Sequence, residues 1–385
     1  MGEVTKLQPD LDFIRYLKTA GGDTLKKCYQ CATCSVMCPL AKDGKPFPRK
    51  EMIWAQWGLK DKLMADPDVL LCHQCGDCTA KCPRGAKPGD VLGAIRAYAY
   101  LHYAYPQGLA KFVSQPKNLP VLIGAPALVI FLMLAVTGHL TIPEKPIDFG
   151  KFMNVLMIDA IFVPAFLFAG YAIFRGAANM WRNMSAGLST NSQFRPSAVT
   201  FVKDFVWPAL FESIQHKRFN ECGENKDRVK GHLPLLLSFI GLFIVTNYGM
   251  VRKDILGLIF PSLHGPIPLY DPFKMLANVS AIALIIGIVI LWSNRKQMED
   301  ENGTKATFYD WFLIYEIMAV GITGLGAELL RLIGWAGPAY LVYFFHLVAV
   351  LMLFLYLPYT KLAHLVYRTT AMAFERYRVS RFVGA

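Results

Sequence analysis

Three features of the sequence predict an all-α chain in two parts, a small basic water-soluble domain followed by a six-helix membrane bundle. Apolar residues make up 54% of the 385, but they are unevenly placed. Residues 1–118 are mixed and basic, and long apolar runs begin at Leu119, which divides the chain into units 1–118 and 119–385. Six of those runs reach the roughly 20 residues that a helix needs to cross a bilayer. Within the first unit a four-cysteine frame occurs twice, CYQCATCSVMCP from Cys28 to Pro39 and CHQCGDCTAKCP from Cys72 to Pro83. The segment between the frames has helical rather than alternating spacing.

Each frame is C-x2-C-x2-C-x3-C-P. Three closely spaced thiolates can wrap three corners of a [4Fe–4S] cube, while the fourth Cys, ahead of Pro, ligates the other cluster of a two-cluster pair. One frame alone is a ligand short, and two complete each other. The spacing therefore assigns Cys28, Cys31, Cys34 and Cys82 to one cluster, and Cys72, Cys75, Cys78 and Cys38 to the second. The first unit then reads as an α-helical ferredoxin domain with two [4Fe–4S] clusters. Zinc in paired C-x2-C hooks is the competing use of thiolates, but it leaves the third spacing and both prolines unexplained. Cys222 stands outside the frames and reads as a passive thiol. An odd cysteine count in C-x-x-C frames, behind a start (MGEVTKLQPDLDF) without the apolar core of a signal peptide, points to metal ligation in a reducing compartment rather than to disulfides.

PRKEMIWAQWGLKDKLM, between the frames, puts Met52, Ile53, Trp54, Trp57, Leu59 and Leu63 on a rough helical stripe. After the second frame, GDVLGAIRAYAYLHYAY reads as another helix with Asp90 near its start. His73 and His102 read as surface or packing residues.

The expected membrane spans are Leu119–Leu140, Val155–Phe174, Leu233–Gly249, Phe273–Trp292, Phe308–Leu332 and Ala339–Leu362. Pro164 and Pro358 fall inside two of them, which spanning helices tolerate. On the side of the cysteine domain, loop 175–231 carries nine Lys or Arg, loop 293–307 three and the tail from Arg368 four, against two in each of the longer loops opposite. The positive-inside rule then puts the cysteine domain and both termini in the cytoplasm of a multi-pass protein of the cytoplasmic membrane. It also accounts for much of the net charge of +12 without nucleic acid. PSAVTFVKDFVWPALFESIQHKRF has two readings. It is an interfacial helix, with Phe201, Val202, Phe205, Leu210, Phe211 and Ile214 toward lipid and Lys203, Asp204, Lys217 and Arg218 toward water, or it docks a soluble partner.

His346 and His364 are expected to share the last helix, where 18 residues make five turns and put both on one face. By rise they lie roughly 27 Å apart, close to the hydrocarbon thickness. That spacing suits two hemes stacked across a bilayer. His232 opens the third span level with His364, so the pair is assigned to one b-type heme. Each histidine alone reads sooner as an interfacial or capping residue, and the five-turn pairing beside an iron–sulfur domain is what favours heme. His346 needs a partner, for which His139 and His264 are candidates, since Leu242 stands where the third span would carry a second histidine. No C-x-x-C-H site exists for covalent heme. Glu328 and Arg331, one turn apart in the fifth span, read as an ion pair or as a quinol site in which Glu328 accepts protons. Asp159 and Glu316 are expected near an interface.

The two cysteine frames resemble those of the iron–sulfur C subunit of heterodisulfide reductase. The strings H-K-x-F-x-x-C…R-x-x-x-H (His216 to His232), G-A-E-L-L-R (Gly326 to Arg331) and H-x17-H with P-Y-T-K-L-A-H (His346 to His364) are similar to the cytochrome b component of that reductase, its E subunit, and to the nitrate reductase gamma subunit. The fusion of both parts in one chain resembles the C subunits of quinone-interacting membrane-bound oxidoreductase complexes of sulfate-respiring bacteria. The resemblance covers nearly the whole chain. It implies two [4Fe–4S] clusters, heme b and menaquinol as reductant, in a membrane cytochrome b-type bundle. It also implies two soluble flavin and iron–sulfur subunits as partners, with adenylylsulfate (APS) reductase as acceptor. The gamma-subunit pattern carries two His on each of two helices, and the third span departs from it.

The expected function is that of a membrane electron-transfer subunit, quinone-reactive within a multi-subunit oxidoreductase. The alternative in the same class is a heterodisulfide reductase-like or sulfite-pathway menaquinol complex. A different class, a transporter, would show internal repeats with broken helices, and none is visible. A redox sensor would need only one exposed cluster. No Gly-rich dinucleotide fingerprint follows a strand, so flavin is expected on the partners.

Overall fold

The computed structural model describes residues 8–41, 44–143, 146–186, 188, 196–216, 228–302 and 308–383, with the backbone alone for Pro261, His264, 301–302 and 381–383. The described part is helical throughout, without strands. The cysteine domain holds α1 (Leu11–Thr19), α2 (Thr33–Met37), α3 (Arg49–Gln56), α4 (Lys60–Met64), α5 (Asp68–Leu71), α6 (Asp77–Ala80) and α7 (Pro88–Tyr103). Then follow α8 (Gln107–Val113), α9 (Leu119–Val136), α10 (Phe149–Phe152), α11 (Val155–Ala186), α12 (Ala198–Phe201), α13 (Trp207–Gln215) and α14 (Arg228–Met250). The chain closes with α15 (Gly257–Ile259), α16 (Pro272–Asn302), α17 (Phe308–Ile333), α18 (Ala336–Tyr356) and α19 (His364–Val383).

Six helical segments among the described residues are long and apolar enough to cross a membrane: Pro116–Val136, Val155–Ala186, Arg228–Ile259, Pro272–Asp300, Phe308–Ile333 and Ala336–Tyr359. They form a multi-pass membrane part, and α11, α14 and α16 run beyond the expected spans. α14 packs on α16, α16 on α17, α17 on α18, and α18 on α9 and α11. Glycine lets α14 and α16 approach closely. A Cβ on Gly287 would lie 2.8 Å from the Gly231 carbonyl and 2.9 Å from the Leu235 nitrogen, the small-residue contact by which membrane helices associate.

Two readings need correction. The stripe from Met52 to Leu63 is two helices, α3 and α4, parted at Trp57–Gly58. Gly58 takes a left-handed φ of 66°, the conformation glycine allows, and Trp57 turns out to solvent. More consequentially, His346 and His364 do not share a helix. α18 ends at Tyr356, where Pro358 removes a backbone donor. Thr360 is extended, and its hydroxyl accepts from Leu362 N. His364 then starts α19. The argument from five turns on one face therefore fails, whereas Pro164 is absorbed within α11.

One buried core runs through both halves. It joins Leu92 and Ile95 of α7 to Met180 and Met184 of α11, Tyr309 of α17, and Ala371 and Phe374 of α19. Phe201 and Phe205, expected toward lipid, instead pack on Trp181 and Tyr377, because α19 presents an aromatic face there. Val202 and Phe211 do remain exposed.

Replacing Gly287 by Ala drives a methyl into backbone that cannot rotate away. The expected loss is about 1–3 kcal/mol of stability, read as a lower midpoint in thermal unfolding of the detergent-solubilised protein with the clusters still bound.

Candidate functional site

The two frames repeat in three dimensions. Their third and fifth positions are left-handed in both: Gln30 and Ala32 in the first, Gln74 and Gly76 in the second. Such φ values are rare for residues other than glycine, so three of the four positions hold a strained turn. Each turn leads directly into a short helix, α2 or α6, and these two pack on each other.

This interlocking brings cysteines of the two frames near one another. Cys38 faces Cys72, Cys75 and Cys78 across a pocket also lined by Leu40, Phe47 and Leu92. Burial pushes the Cys38 thiol up to about 12, with Cys72 and Cys75 adding to it. In the other set, burial pushes Cys34 up to about 11, helped by Cys28 and Cys31. Burial also raises Cys28, helped by Cys82 and Cys31. Cys31 is exposed, and hydrogen bonds from Thr33 lower it. Thiols this buried ionise only against a strong positive centre, and a metal core deprotonates its thiol ligands outright. The backbone nitrogens of Gln74 and Ala86 lie 3.4 Å from Cys72 Sγ and Cys82 Sγ, supporting sulfur that carries negative charge.

Sulfur spacing separates a cube from a single ion. Zinc–thiolate bonds of about 2.3 Å bring four sulfurs to within roughly 4 Å of one another. Among the described residues no three cysteine sulfurs lie within 4.8 Å of one another; the one group that tight is Glu51, Asp66 and Asp68. Its cation is already present, because Lys50 Nζ sits 2.6 Å from Asp66 Oδ2 and 3.1 Å from both Glu51 Oε1 and Asp68 Oδ2. The donor set thus fits two [4Fe–4S] clusters.

Three histidines meet where the bundle touches the cysteine domain. His216 Nδ1 donates to the Ile214 carbonyl at 2.9 Å, which leaves its Nε2 to accept from His232 Nδ1 at 2.7 Å. His364 Nδ1 donates to the Lys361 carbonyl at 2.6 Å. His232 and His364 therefore both carry their lone pair on Nε2, the tautomer that second-shell hydrogen bonds impose on metal ligands. Burial lowers the pKa of His364, which favours the neutral ring that ligation needs. The His232 and His364 rings are 6.0 Å apart, centroid to centroid, with planes at 84°. The two rings meet edge to face. Sequence reasoning gave His216 no role, although its string was noted.

Three arginines, given no role at the cysteines by sequence reasoning, reach the second frame. Arg96 of α7 and Arg368 of α19 each donate to the Cys72 carbonyl at 3.0 Å. Arg228 of α14 donates to the His73 carbonyl at 2.8 Å. The signal was there: R-x3-H ends at His232 and H-x3-R begins at His364, each pair one helical turn apart. His73 belongs to the pocket wall, and His102 packs between Tyr98 and Tyr103.

Deeper in the bundle, His346 Nδ1 lies 3.1 Å from Thr323 Oγ1. Its ring covers Gly324, where a Cβ would come within 3.0 Å of it. Of its candidate partners, His139 bonds to the Thr137 carbonyl at 2.8 Å, and no hydrogen bond or ring contact joins it to His346 among the described residues. The side chain of His264 and the whole of Cys222 lie outside the described residues. Glu328 is held on both oxygens, by Arg331 at 2.9 and 3.2 Å and by Lys274 at 3.0 Å, so α16 and α17 are tied at the end away from the cysteine domain. Asp159 is half-buried, but Glu316, expected near an interface, is buried within α17.

Fold and donor set together define a multi-pass membrane protein that transfers electrons through iron–sulfur centres, a component of an oxidoreductase. Comparisons with known proteins narrow the class. Residues 24–86 match the 4Fe-4S dicluster domain family. The N-terminal part is similar to the C subunit of the H(2):CoB-CoM heterodisulfide,ferredoxin reductase of Methanothermobacter marburgensis, 38% identical over 87 residues. It is likewise similar to an Archaeoglobus profundus protein that is itself like the heterodisulfide reductase C subunit, 38% over 89 residues. Each match covers 23% of this chain and 47% of the relative, so the chain spans about half the length of these two. Citrate utilization protein B of Escherichia coli is 25% identical over 293 residues, 73% of this chain and 72% of that protein, a match too long for the cysteine domain alone. No solved structure matches.

If the ligands cross between frames, Cys38→Ser removes the cluster of the second frame and leaves that of the first. Iron in the purified protein should fall from about eight to about four per chain. Loss from the Cys28, Cys31, Cys34 set instead would show that each frame keeps its own fourth cysteine.

Proposed function

We propose that this chain is the quinone-reactive subunit of a multi-subunit oxidoreductase of the cytoplasmic membrane. It takes electrons from a quinol, menaquinol by resemblance, and passes them to two soluble flavin and iron–sulfur subunits, with APS reductase as the eventual acceptor in sulfate respiration. The observation that carries this reading is the His232–His364 pair, 6.0 Å apart at the junction of bundle and cysteine domain. Bound b-type heme and [4Fe–4S] clusters supply one-electron chemistry there.

The protein's own residues do the holding and the tuning. Cys28, Cys31, Cys34 and Cys82 hold one cluster and Cys72, Cys75, Cys78 and Cys38 the other. His232 and His364 offer Nε2 to one heme, oriented by His216 and the Lys361 carbonyl. His346, fixed by Thr323, serves a second heme farther into the bundle, with His139 or His264 as its partner. Glu328, Arg331 and Lys274 line the proposed quinol site at the end away from the cysteine domain. Glu328 there accepts quinol protons once it is released from its cations, and Arg331 steadies the headgroup. The cysteine domain and both termini face the cytoplasm, and residues 119–385 form the heme and quinone unit.

The similarity to the C subunit of a heterodisulfide reductase favours a second reading with a different acceptor, a heterodisulfide reductase-like or sulfite-pathway menaquinol complex. The two differ in partner, not in the route through this chain.

Pyridine hemochrome quantitation with iron and sulfide assay tests the reading. The wild-type chain should hold about two b hemes and about eight irons, and His346→Ala about one heme with iron retained. A wild-type chain without heme would reduce the membrane part to an anchor for the clusters.

A further inference from the structure

The two clusters are not equivalent in their surroundings. The second frame is reached from the membrane part by Arg228 and Arg368, each one turn from a histidine of the proposed heme pair. The Cys72 carbonyl accepts from both Arg368 and the buried Arg96, which engages both of its lone pairs. Cys72 itself is only 8% exposed. The first frame faces water: Cys31 is exposed, Tyr29 and Val36 are 69% and 83% exposed, and Lys26, Lys27, Lys81 and Arg84 are exposed around them. Guanidinium bonds to a carbonyl are charge-assisted, roughly twice as strong as neutral ones. They also bring positive charge beside the cluster whose ligand they hold.

We propose that Arg228 and Arg368 are positioning residues that clamp the second frame to the histidine-bearing helices and fix the order of transfer. The cluster of Cys72, Cys75, Cys78 and Cys38 receives electrons from the membrane part. The cluster of Cys28, Cys31, Cys34 and Cys82 hands them to a water-soluble, acidic redox protein docked on its basic collar. Each transfer moves one electron from the His232–His364 centre, which is oxidised by one, to the second frame's cluster, which is reduced by one. The quinol is the reductant, and no bond or proton moves at the clamp. The inference rests on the function proposed above.

The test is an EPR-monitored redox titration of Arg368→Gln and Arg368→Lys in the full chain. Losing the guanidinium charge disfavours the added electron, so Arg368→Gln should shift one cluster to lower potential. Lys should restore the potential, and in a Cys38→Ser background the surviving cluster should not move. Transfer from reduced heme to the clusters should slow about tenfold in the Gln variant. Unchanged potentials, or a shift of the cluster that survives Cys38→Ser, would overturn the assignment. A water-soluble gadolinium chelate should relax the unshifted cluster more strongly than the shifted one, and the reverse would overturn the order. Oxidation of the reduced protein by flavodoxin, used as an acidic acceptor, should slow with salt and on reversing Lys26 and Lys27 to Glu. Rates indifferent to both would remove the acidic partner. A wild-type chain without heme would defeat the functional reading and with it the transfer from the His232–His364 centre, whereas the cluster potentials test the clamp separately.

Discussion

The carbonyl of Cys72 is the point on which both halves of the molecule hang. A buried backbone oxygen must find a donor, and this one finds two guanidinium groups, one from its own domain and one from the helix that leaves the membrane. Arg228 repeats the arrangement one residue along, on the His73 carbonyl. An aqueous domain beside a lipid-embedded bundle has no hydrophobic reason to adopt one fixed orientation unless core is shared, and here both devices are present. α19 touches α5, whose last residue precedes Cys72, and the buried side chains of α7, α11, α17 and α19 form one continuous core beneath the arginines. The bonds set the register, and the core supplies the adhesion.

The crossed cysteines impose a second constraint. Cys38 shares a pocket with Cys72, Cys75 and Cys78, and under the crossed ligation proposed above neither metal site is complete until both frames have folded. Metal binding is then folding free energy for the whole domain rather than for one loop. The left-handed backbone at Gln30, Ala32 and Gln74 belongs to the same economy. Each non-glycine residue there costs on the order of 1–3 kcal/mol, and only a multidentate centre holding all eight sulfurs returns that cost. The two frames are alike in backbone and unlike in exposure, so the same cysteine spacing acquires different electrostatics from what packs on it.

Much of this was legible in the sequence. The cysteine frames declare their chemistry because cluster geometry dictates spacing directly, and the six spans declare themselves because lipid tolerates little else. The helices on either side of the second frame came out of apolar periodicity. What failed, failed where a local device overrode a pattern. Gly58 broke the stripe from Met52 to Leu63. Pro358 ended a helix that hydropathy alone would carry to Leu362. Phe201 and Phe205 went to the aromatic face of α19, a partner more than 150 residues away that no local moment could reveal. Arg96, Arg228 and Arg368 were overlooked for a related reason. Arginine near a membrane boundary reads as topology, and its use as a donor to one distant carbonyl appears only once three elements are brought together.

The break between α18 and α19 shows how such an override serves the architecture. α18 is apolar and packs on α9, α11 and α17. α19 is polar overall and packs on α5, α11 and α13. The seven residues 357–363 mark the change. The Tyr359 hydroxyl donates to the Tyr105 carbonyl, Lys361 pairs with Asp310, and Asp310 also pairs with Arg295 at 3.0 Å. These charges form a polar cluster at the end of the apolar helix α18. His364 begins the next helix immediately beyond it, with Nδ1 held by the Lys361 carbonyl. The device that ends α18 is thus also the one that orients the imidazole, and the position of His364 follows from where that helix ends rather than from a count of helical turns.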